Sequence, residues 1–299
     1  MFAMKDGALL GKVALVAGGT RGAGRGISIA LGEKGATVYV TGRSSAKGRS
    51  DLNRPETIEE TAELVTRSGG KGIPVRVDHT NEYEVKELFE KIRGEQSGRL
   101  DVLINDIWGG EHLIDWGKKF WEHDLHNGLK AVRNCIDSHL VTSRFALPFF
   151  VQNRTGLLIE ITDGTDYRFR GNVYYSLVKS SLIHLAECFA SELKPYGVTV
   201  LALTPGFLRS EAMLDYFKVK ESNWRDAAKQ DPHFLQSETP MYIGRAVACL
   251  AGDPEVKGLN GQALSTWKLS EKYDFTDIDG SRPHWGKYYE KLLNEGLVS

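Results

Sequence analysis

The stretch Ala17-Gly18-Gly19-Thr20-Arg21-Gly22-Ala23-Gly24 follows a short apolar run at residues 12–17 and leads directly into an amphipathic stretch. Gly18 lets the chain turn sharply, Gly22 leaves room for a phosphate group, and Gly24 permits close contact between helix and strand. The first turn of such a helix offers free N–H groups and a partial positive charge. The pattern therefore predicts a strand, a tight turn and a helix that bind the pyrophosphate of a dinucleotide. The predicted contacts are Gly18, Thr20, Arg21, Gly22, Ala23 and Gly24.

Apolar or β-branched runs alternate with longer amphipathic stretches along the rest of the chain. Strands are predicted at residues 12–17, 37–41, 72–77, 100–105, 156–162 and 198–204. Helices are predicted at residues 22–34, 56–68, 82–96, 140–152 and 173–195. Strands and helices that alternate in this way favour a mostly parallel sheet with helices on both faces. We expect one α/β domain over residues 1–299, of the Rossmann-like, doubly wound type.

The overall composition restricts the partners of the chain. Its 38 basic and 39 acidic residues nearly cancel and form no block of like charge, which argues against nucleic acid or an anionic membrane. No apolar run is long enough to span a bilayer, and residues 1–10 lack the pattern of an export signal. Three widely spaced cysteines, without a CxxC pair, indicate neither a disulfide framework nor a zinc site. We expect a cytoplasmic protein with a small-molecule partner.

Two segments outside the regular pattern have predicted places. Residues 44–55 are polar and follow the second strand, so we expect a mobile loop beside the bound nucleotide. Residues 268–299 are rich in aromatic side chains in a charged background, which is unlike a disordered tail. This C-terminal extension is expected to pack back on the domain.

The end of the second strand indicates which dinucleotide is bound. An NAD-binding site usually has an acidic residue there, whereas this chain reads Thr41-Gly42-Arg43-Ser44. Arg43, beside Ser44, and Arg21 in the glycine loop could both face a 2′-phosphate. The pattern predicts NADP(H). The alternative is NAD(H), with Arg43 an ordinary surface residue that points away.

Tyr175 and Lys179 are the candidate catalytic pair. They are four residues apart near the start of a long predicted helix, so they share one helix face. An unperturbed phenol has a pKa of about 10, and a neighbouring ammonium is expected to lower that pKa. Tyr175 would then act as acid and base for a carbonyl or alcohol oxygen. Tyr174 is five residues from Lys179 and is expected on another face, packing or lining the pocket.

The combined pattern, from residue 12 to about residue 267, resembles the short-chain dehydrogenase/reductase family. Its GxxxGxG loop, the YxxxK pair and a later Pro-Gly segment occur here in the same order. Residues 105–110 and the tail at residues 275–280 resemble bacterial relatives of the family's member 1 subgroup. The resemblance implies an oxidoreductase that transfers a hydride between NADP(H) and a carbonyl or alcohol. It also implies cofactor contacts from Asp78, His79, Asn105, Lys179, Pro205, Gly206, Phe207, Leu208 and Ser210, and a dimer or tetramer formed through the helices at residues 140–152 and 173–195.

The sequence departs from the family at three positions. The family's NNAG motif reads Asn105-Asp106-Ile107-Trp108. The family's catalytic Ser falls at Thr162, which we prefer because its hydroxyl can donate, with Asp163 as the rival. The family's helix Asn falls near Cys135 or Asn134. These departures leave a second hypothesis open, a nucleotide-binding regulator or scaffold without turnover.

The substrate is the least determined part of the prediction. Aromatic residues near the expected pocket would suit an apolar ketone, or they belong to the core. These residues are Trp108, Tyr167, Phe169, Tyr174 and Phe207. Residues 166–170 form either a pocket wall or an exposed loop. The histidines show no metal-binding spacing, and no metal is predicted.

Overall fold

The computed structural model describes residues 5–297, which contain a seven-stranded parallel sheet in the order β3-β2-β1-β4-β5-β6-β7. The strands are β1 (Val13–Ala17), β2 (Thr37–Gly42), β3 (Lys71–Arg76), β4 (Val102–Asn105), β5 (Gly156–Ile161), β6 (Val198–Thr204) and β7 (Ala263–Ser265). The first six are the predicted strands. The seventh was not predicted, because three residues at a sheet edge carry almost no periodic signal.

Nine α-helices surround the sheet in the described residues. They are α1 (Gly22–Glu33), α2 (Ile58–Arg67), α3 (Glu82–Glu95), α4 (Leu125–Asn153), α5 (Val173–Leu193), α6 (Glu211–Tyr216), α7 (Pro240–Gly252), α8 (Thr266–Tyr273) and α9 (Trp285–Asn294). Helix α4 begins at Leu125 and not at residue 140, because Asp124 caps its N-terminus through the N–H of Asn127. The first half of α4 was not predicted, because polar residues such as Asn134 and Asp137 interrupt the helical spacing of its apolar side chains.

The core lies on both faces of the sheet. Side chains of β1 alternate between them: Ala14 and Val16 pack with α1, α2 and α7, whereas Val13 and Leu15 pack with α3, α4 and α5. Central strands β1, β4 and β6 are buried along their whole length, as expected for a parallel sheet covered on both sides. The predicted doubly wound α/β fold, formed as a single domain, is confirmed.

The strand order places a cleft at a defined position. The chain runs outward from β1 to β2 and β3, and then crosses back to β4 on the other side of β1. Connections at the carboxyl ends of β1 and β4 therefore diverge, and a crevice opens between them. The glycine loop follows β1, and Asn105 ends β4.

Residues 44–55 and 268–297 are both held by specific contacts. In the loop, Ser45 pairs with Gly48 through the backbone. In the C-terminal extension, buried Asp277 accepts from the N–H of Thr239, and the Tyr288 hydroxyl lies 2.8 Å from His233 Nδ1. Within the described residues, no helix has the length and apolarity needed to cross a membrane.

Candidate active site

The glycine loop is tightly packed at Gly18 and Gly24 and open at Gly22. A Cβ built on Gly18, whose φ is +94°, would lie 2.6 Å from the Asp106 carbonyl oxygen. One on Gly24 would lie 2.3 Å from the Gly18 carbonyl oxygen. At Gly22 the nearest atom would be Ser210 Cβ, at 3.8 Å. Of these three glycines, Gly22 alone leaves open space, between the start of α1 and the segment after β6.

The start of α1 already holds a negative group. The N–H of Gly22 donates to Glu211 Oε2 at 2.8 Å, and Arg25 Nε lies 3.6 Å from Glu211 Oε1. A carboxylate is favoured there because the helix N-terminus carries partial positive charge. Sequence reasoning missed Glu211, although it directly follows the Pro205–Ser210 segment singled out above.

Arg43 lies at the rim of the cleft. Its Nη2 is 2.8 Å from Asp51 Oδ1 in the loop after β2, and its side chain is 31% exposed. Burial raises the pKa of Asp78, but hydrogen bonds from Thr80 and the charges of Arg43 and Arg76 hold that pKa below its usual value. Arg43 and Asp78 therefore share one rim of the cleft.

Ser44 and Thr20, two other predicted contacts near this rim, are buried. The Ser44 hydroxyl donates to Ser50 Oγ at 2.9 Å. Thr20 is buried, and a Cβ on Gly42 would lie 2.4 Å from its Oγ1. Burial raises the pKa of Glu56, but the hydrogen bond from Arg54 and the charges of Arg54 and Arg21 hold that pKa below its usual value. Ala23 is buried in the core on the α1 face.

His79 and Asn105 have their side chains inside the core. The His79 ring lies between Thr41 Oγ1, at 2.8 Å from Nε2, and Thr142 Oγ1, at 2.7 Å from Nδ1. Asn105 donates to Glu160 Oε1 at 2.9 Å, while its own Oδ1 is buried without a partner in residues 5–297. The His79 side chain is therefore not available to a nucleotide.

The segment after β6 is fixed by Glu238. The N–H of Gly206 donates to Glu238 Oε2 at 2.9 Å, and the Phe207 carbonyl accepts from the Glu238 N–H. Ser210 caps α6 through the N–H of Met213. Of the predicted contacts here, Leu208 and Ser210 face Gly22, the open point of the glycine loop.

Tyr175 lies in the first turn of α5, which is capped by Asn172. Its hydroxyl donates to Asp163 Oδ2 at 2.9 Å. Thr162 is buried, and its hydroxyl donates to the Lys179 carbonyl at 2.7 Å. Asp163, the rival to Thr162, is therefore the residue that contacts the phenol, because the Thr162 hydroxyl is directed to the α5 backbone.

The protonation of Tyr175 differs from the expectation. Burial and the Asp163 carboxylate raise the pKa of Tyr175 well above 10, and the charge of Arg170 opposes them only in part. The predicted lowering by Lys179 is wrong for this arrangement: its ammonium lies over the Tyr175 ring, 5.7 Å from the centroid, whereas Asp163 contacts the hydroxyl. The structure favours the protonated phenol.

Lys179 extends towards Asp106 and Trp108. Its Nζ lies 5.4 Å from the Trp108 ring centroid, a cation–π contact. Burial raises the pKa of Asp106 to about 7, against the lowering effects of the Lys179 charge and the Gly24 N–H. The altered NNAG segment thus places a titratable carboxyl group between the glycine loop and Lys179.

Aromatic rings flank the phenol on two sides. The Trp108 and Trp116 centroids lie 5.4 and 5.0 Å from that of Tyr175, both edge-on. Trp116, which sequence reasoning missed, is 55% exposed and comes from the irregular connection between β4 and α4. Tyr174 is buried, with its ring against Gly128.

The other three predicted aromatics lie outside this site. Tyr167 donates to Glu187 on α5, Phe169 is exposed, and Phe207 packs against Phe234 and Trp285. Residues 166–170 are therefore largely exposed, although the Arg170 guanidinium is directed back towards Gly164.

The helix position expected to carry Asn is occupied differently. Asn134 donates to the Gly109 carbonyl at 3.1 Å, and Cys135 Sγ donates to the Ile107 carbonyl at 3.2 Å. His139, one turn further on, lies with Nε2 3.0 Å from the same Ile107 carbonyl. No local sequence pattern pointed to His139, because its partners Glu160 and Ile107 are distant in the chain. No group of three potential metal ligands lies together in residues 5–297.

Comparisons with known proteins agree with this geometry. A family model described as short chain dehydrogenase matches residues 12–220. Dehydrogenase/reductase SDR family member 1 of Mus musculus is 35% identical over 281 residues, covering 90% of this chain and 84% of that protein. A 3-oxoacyl-(acyl-carrier-protein) reductase of Staphylococcus aureus is 30% identical over 259 residues, covering 85% and 95%.

A solved structure shows the same fold. A short chain dehydrogenase of Mycobacterium thermoresistibile superposes with a TM-score of 0.76 at 18% identity, covering 93% of this chain and 92% of that one. The family match spans most of the chain, and the glycine loop and the Tyr175–Lys179 pair lie within it. The chain therefore belongs to the short-chain dehydrogenase/reductase family of nicotinamide-dependent oxidoreductases.

Proposed function

We propose that this protein is an NADP(H)-dependent reductase of carbonyl compounds, with Tyr175 as the acid that protonates the carbonyl oxygen. The observation that carries the proposal is the position of the phenol. It lies one helical turn from Lys179, beside the cleft bounded by the glycine loop. The same site would oxidise the corresponding alcohol in reverse.

The residues of the cleft fit the cofactor. The open space at Gly22 suits the pyrophosphate, Asp78 the adenine end, and the Pro205–Ser210 segment the nicotinamide end. When bound, the nicotinamide supplies or accepts the hydride.

The raised pKa of Tyr175 favours reduction. A protonated phenol is the form that donates to a carbonyl oxygen, and burial and Asp163 keep Tyr175 in that form at neutral pH. Donation leaves a phenolate beside Asp163, so positive charge is needed to stabilise it. Arg170, whose charge lowers the pKa of Tyr175, provides that charge. The Thr162 hydroxyl donates to the Lys179 carbonyl and so supports α5, the helix that carries Tyr175 and Lys179.

Arg43 supports NADP(H) over NAD(H). It is the charged group at the rim after β2, where an NAD-binding site would have a carboxylate. Its partner here is the Asp51 carboxylate. A 2′-phosphate carries more negative charge and more acceptor oxygens, so it would replace Asp51 as the partner of Arg43.

The surroundings of Tyr175 favour a neutral, apolar carbonyl substrate. Trp108 and Trp116 provide apolar surface on two sides, whereas Asp163 and Asp106 disfavour an anionic group near the phenol. The S. aureus relative is named for reduction of a 3-oxoacyl group, which is a carbonyl of this kind.

We further propose a homo-oligomer that uses α4 and α5. A groove of about 380 Å³ lies between these helices, and Leu140 and Leu177 beside it are 43% and 53% exposed. Burial of these side chains against a second copy would remove exposed apolar surface from water. In sedimentation experiments, Leu177→Glu should have a lower mass than the wild-type assembly. An identical mass would exclude this face as the interface, and a monomeric wild type would exclude the oligomer.

The test of the enzymatic proposal is absorbance-monitored oxidation of NADPH and NADH against quinones, diketones, aldehydes and aromatic ketones. Tyr175→Phe should lose roughly 100-fold or more of the turnover and keep NADPH binding. Tyr174→Phe, which alters the adjacent buried ring, is the matched control and should keep most of the turnover. Tight NADPH binding with no turnover across the panel would instead support a nucleotide-binding regulator.

A further inference from the structure

His139 and Glu160 form a fully buried pair beneath the candidate active site. Both side chains have 0% exposure, and His139 Nδ1 contacts Glu160 Oε2. The other Glu160 oxygen accepts from Asn105 at the end of β4, so the carboxylate connects β5, β4 and α4. Neither residue contacts the phenol of Tyr175 or belongs to the cofactor contacts described above.

The pair holds one backbone carbonyl in place. His139 Nε2 lies 3.0 Å from the Ile107 oxygen, and Cys135 Sγ donates to the same oxygen at 3.2 Å. Ile107 connects two residues that interact with Lys179. Asp106 precedes it and interacts with the Lys179 charge, and Trp108 follows it with its ring against Tyr175 and Lys179.

Several titratable groups surround His139. Cys135 lies on the same helix, Glu160 on β5, His79 after β3, and Asp106 after β4. Burial lowers the pKa of His139, but Glu160 and Cys135 outweigh burial and raise that pKa well above its usual value. The ring is then an imidazolium, and both ring nitrogens are donors, one to Glu160 and one to Ile107.

The arrangement is costly for stability alone. Removing two charges from water is unfavourable, and apolar residues of similar volume often replace a buried ion pair without loss of stability. A buried pair that is retained in this way can instead specify one conformation. Here the conformation specified is that of the Ile107 peptide.

We propose that His139, held by Glu160, is a positioning residue that fixes the Asp106–Trp108 segment and thereby aligns the Trp108 ring with Tyr175 and Lys179. The hydrogen bond to the Ile107 carbonyl transmits this effect. The catalytic consequence rests on the function proposed above, whereas the structural consequence for Trp108 does not.

The test compares His139→Gln, which can still donate to Ile107, with the double variant His139→Leu/Glu160→Leu. His139→Leu alone would leave the Glu160 carboxylate buried and unpaired, which opposes folding. The double variant leaves no unpaired buried charge and is therefore expected to fold more readily. Tyr39→Phe, which removes the hydrogen bond from the Tyr39 hydroxyl to Glu95 on α3, is the control. Each protein is labelled with 5-fluorotryptophan, and the Trp108 resonance among the six tryptophans is assigned with Trp108→Phe.

In the double variant we expect the Trp108 resonance to shift or broaden, and kcat to fall roughly 10- to 100-fold with KM and NADPH affinity nearly unchanged. His139→Gln should keep most of the wild-type kcat and a Trp108 resonance close to that of the wild type. Tyr39→Phe should alter neither the resonance nor kcat. A folded double variant with an unchanged Trp108 resonance and kcat would overturn the proposal. A shifted resonance in a protein whose wild type turns over no carbonyl would contradict the proposed function only.

Discussion

The Tyr175 hydroxyl lies 2.9 Å from a carboxylate oxygen of Asp163, the residue next to Thr162, where the resemblance places the family's catalytic serine. A serine would donate to the substrate oxygen, whereas an ionised carboxylate accepts from the phenol and raises its pKa. This contact therefore makes the proton affinity of Tyr175 the property of the site that is easiest to test.

Asp163→Asn should lower the pKa of Tyr175, because it removes the negative charge that opposes phenolate formation. Alcohol oxidation needs the phenolate, which is populated above the phenol pKa, so its rate rises with pH. The rising limb should move to lower pH by about one unit or more in the variant. The measurement is kcat for oxidation between pH 6 and 11.

The control for that profile is Asp226→Asn, an exposed carboxylate paired with Lys229 and remote from Tyr175. Its profile should match that of the wild type. A rising limb that stays in place in Asp163→Asn would show that Asp163 does not govern the phenol.

Arg43→Ala should weaken NADPH binding roughly 10- to 100-fold and leave NADH binding nearly unchanged, because only NADPH carries the 2′-phosphate. Asp51→Asn should have the opposite effect on NADPH, since it frees the Arg43 guanidinium. Both affinities can be followed by quenching of protein fluorescence. Arg67→Ala, which changes an exposed side chain at the end of α2, is the control. An equal loss for both cofactors in Arg43→Ala would argue for NAD(H).

Glu211→Gln should bind the cofactor about three- to tenfold more tightly. The Glu211 carboxylate occupies the N–H of Gly22, at the helix terminus where the pyrophosphate is expected. Calorimetric titration with NADPH would measure the difference. Asp215→Asn, which lies on the same helix α6 but pairs with Arg54, is the matched control. Weaker binding in Glu211→Gln would mean that the carboxylate supports the occupied site.

Buried His79 should make the protein less stable in mild acid. Burial lowers its pKa from 6.5 to about 3, so between these values the unfolded chain binds more protons than the folded protein. The free energy of unfolding must then fall as the pH decreases from about 6.5 towards 3. In urea titrations at pH 7.5 and 4.5, His79→Gln should lose less stability than the wild type.

The corresponding control is His184→Gln, because the His184 side chain is 69% exposed. It should lose as much stability as the wild type over the same pH interval. An equal loss in His79→Gln would indicate that His79 is protonated in the folded protein.

Local patterns in the sequence were sufficient to predict the fold and the principal motif residues. The β1–turn–α1 unit follows from glycines at fixed spacing, and six strands follow from apolar runs at βαβ spacing, because these features depend on neighbouring residues. Helix α4 was predicted only in its apolar second half, since the polar residues of its first half face partners distant in sequence.

The contacts at the site depend on residues far apart in the chain. The sequence placed Thr162 and Asp163 as alternatives, and a shift of one residue in a loop decides which side chain reaches Tyr175. It contained no signal for Trp116, Glu211 or His139, whose partners belong to separate elements.

The sequence by itself determined the parallel sheet, the glycine loop and the helical pair Tyr175–Lys179, because backbone conformation and helical periodicity are local properties. Only the tertiary structure decided that Asp163 accepts from the phenol and that His139 holds the Ile107 carbonyl. Such contacts, and the burial that raises the pKa of Tyr175, arise only when strands and helices distant in sequence pack together.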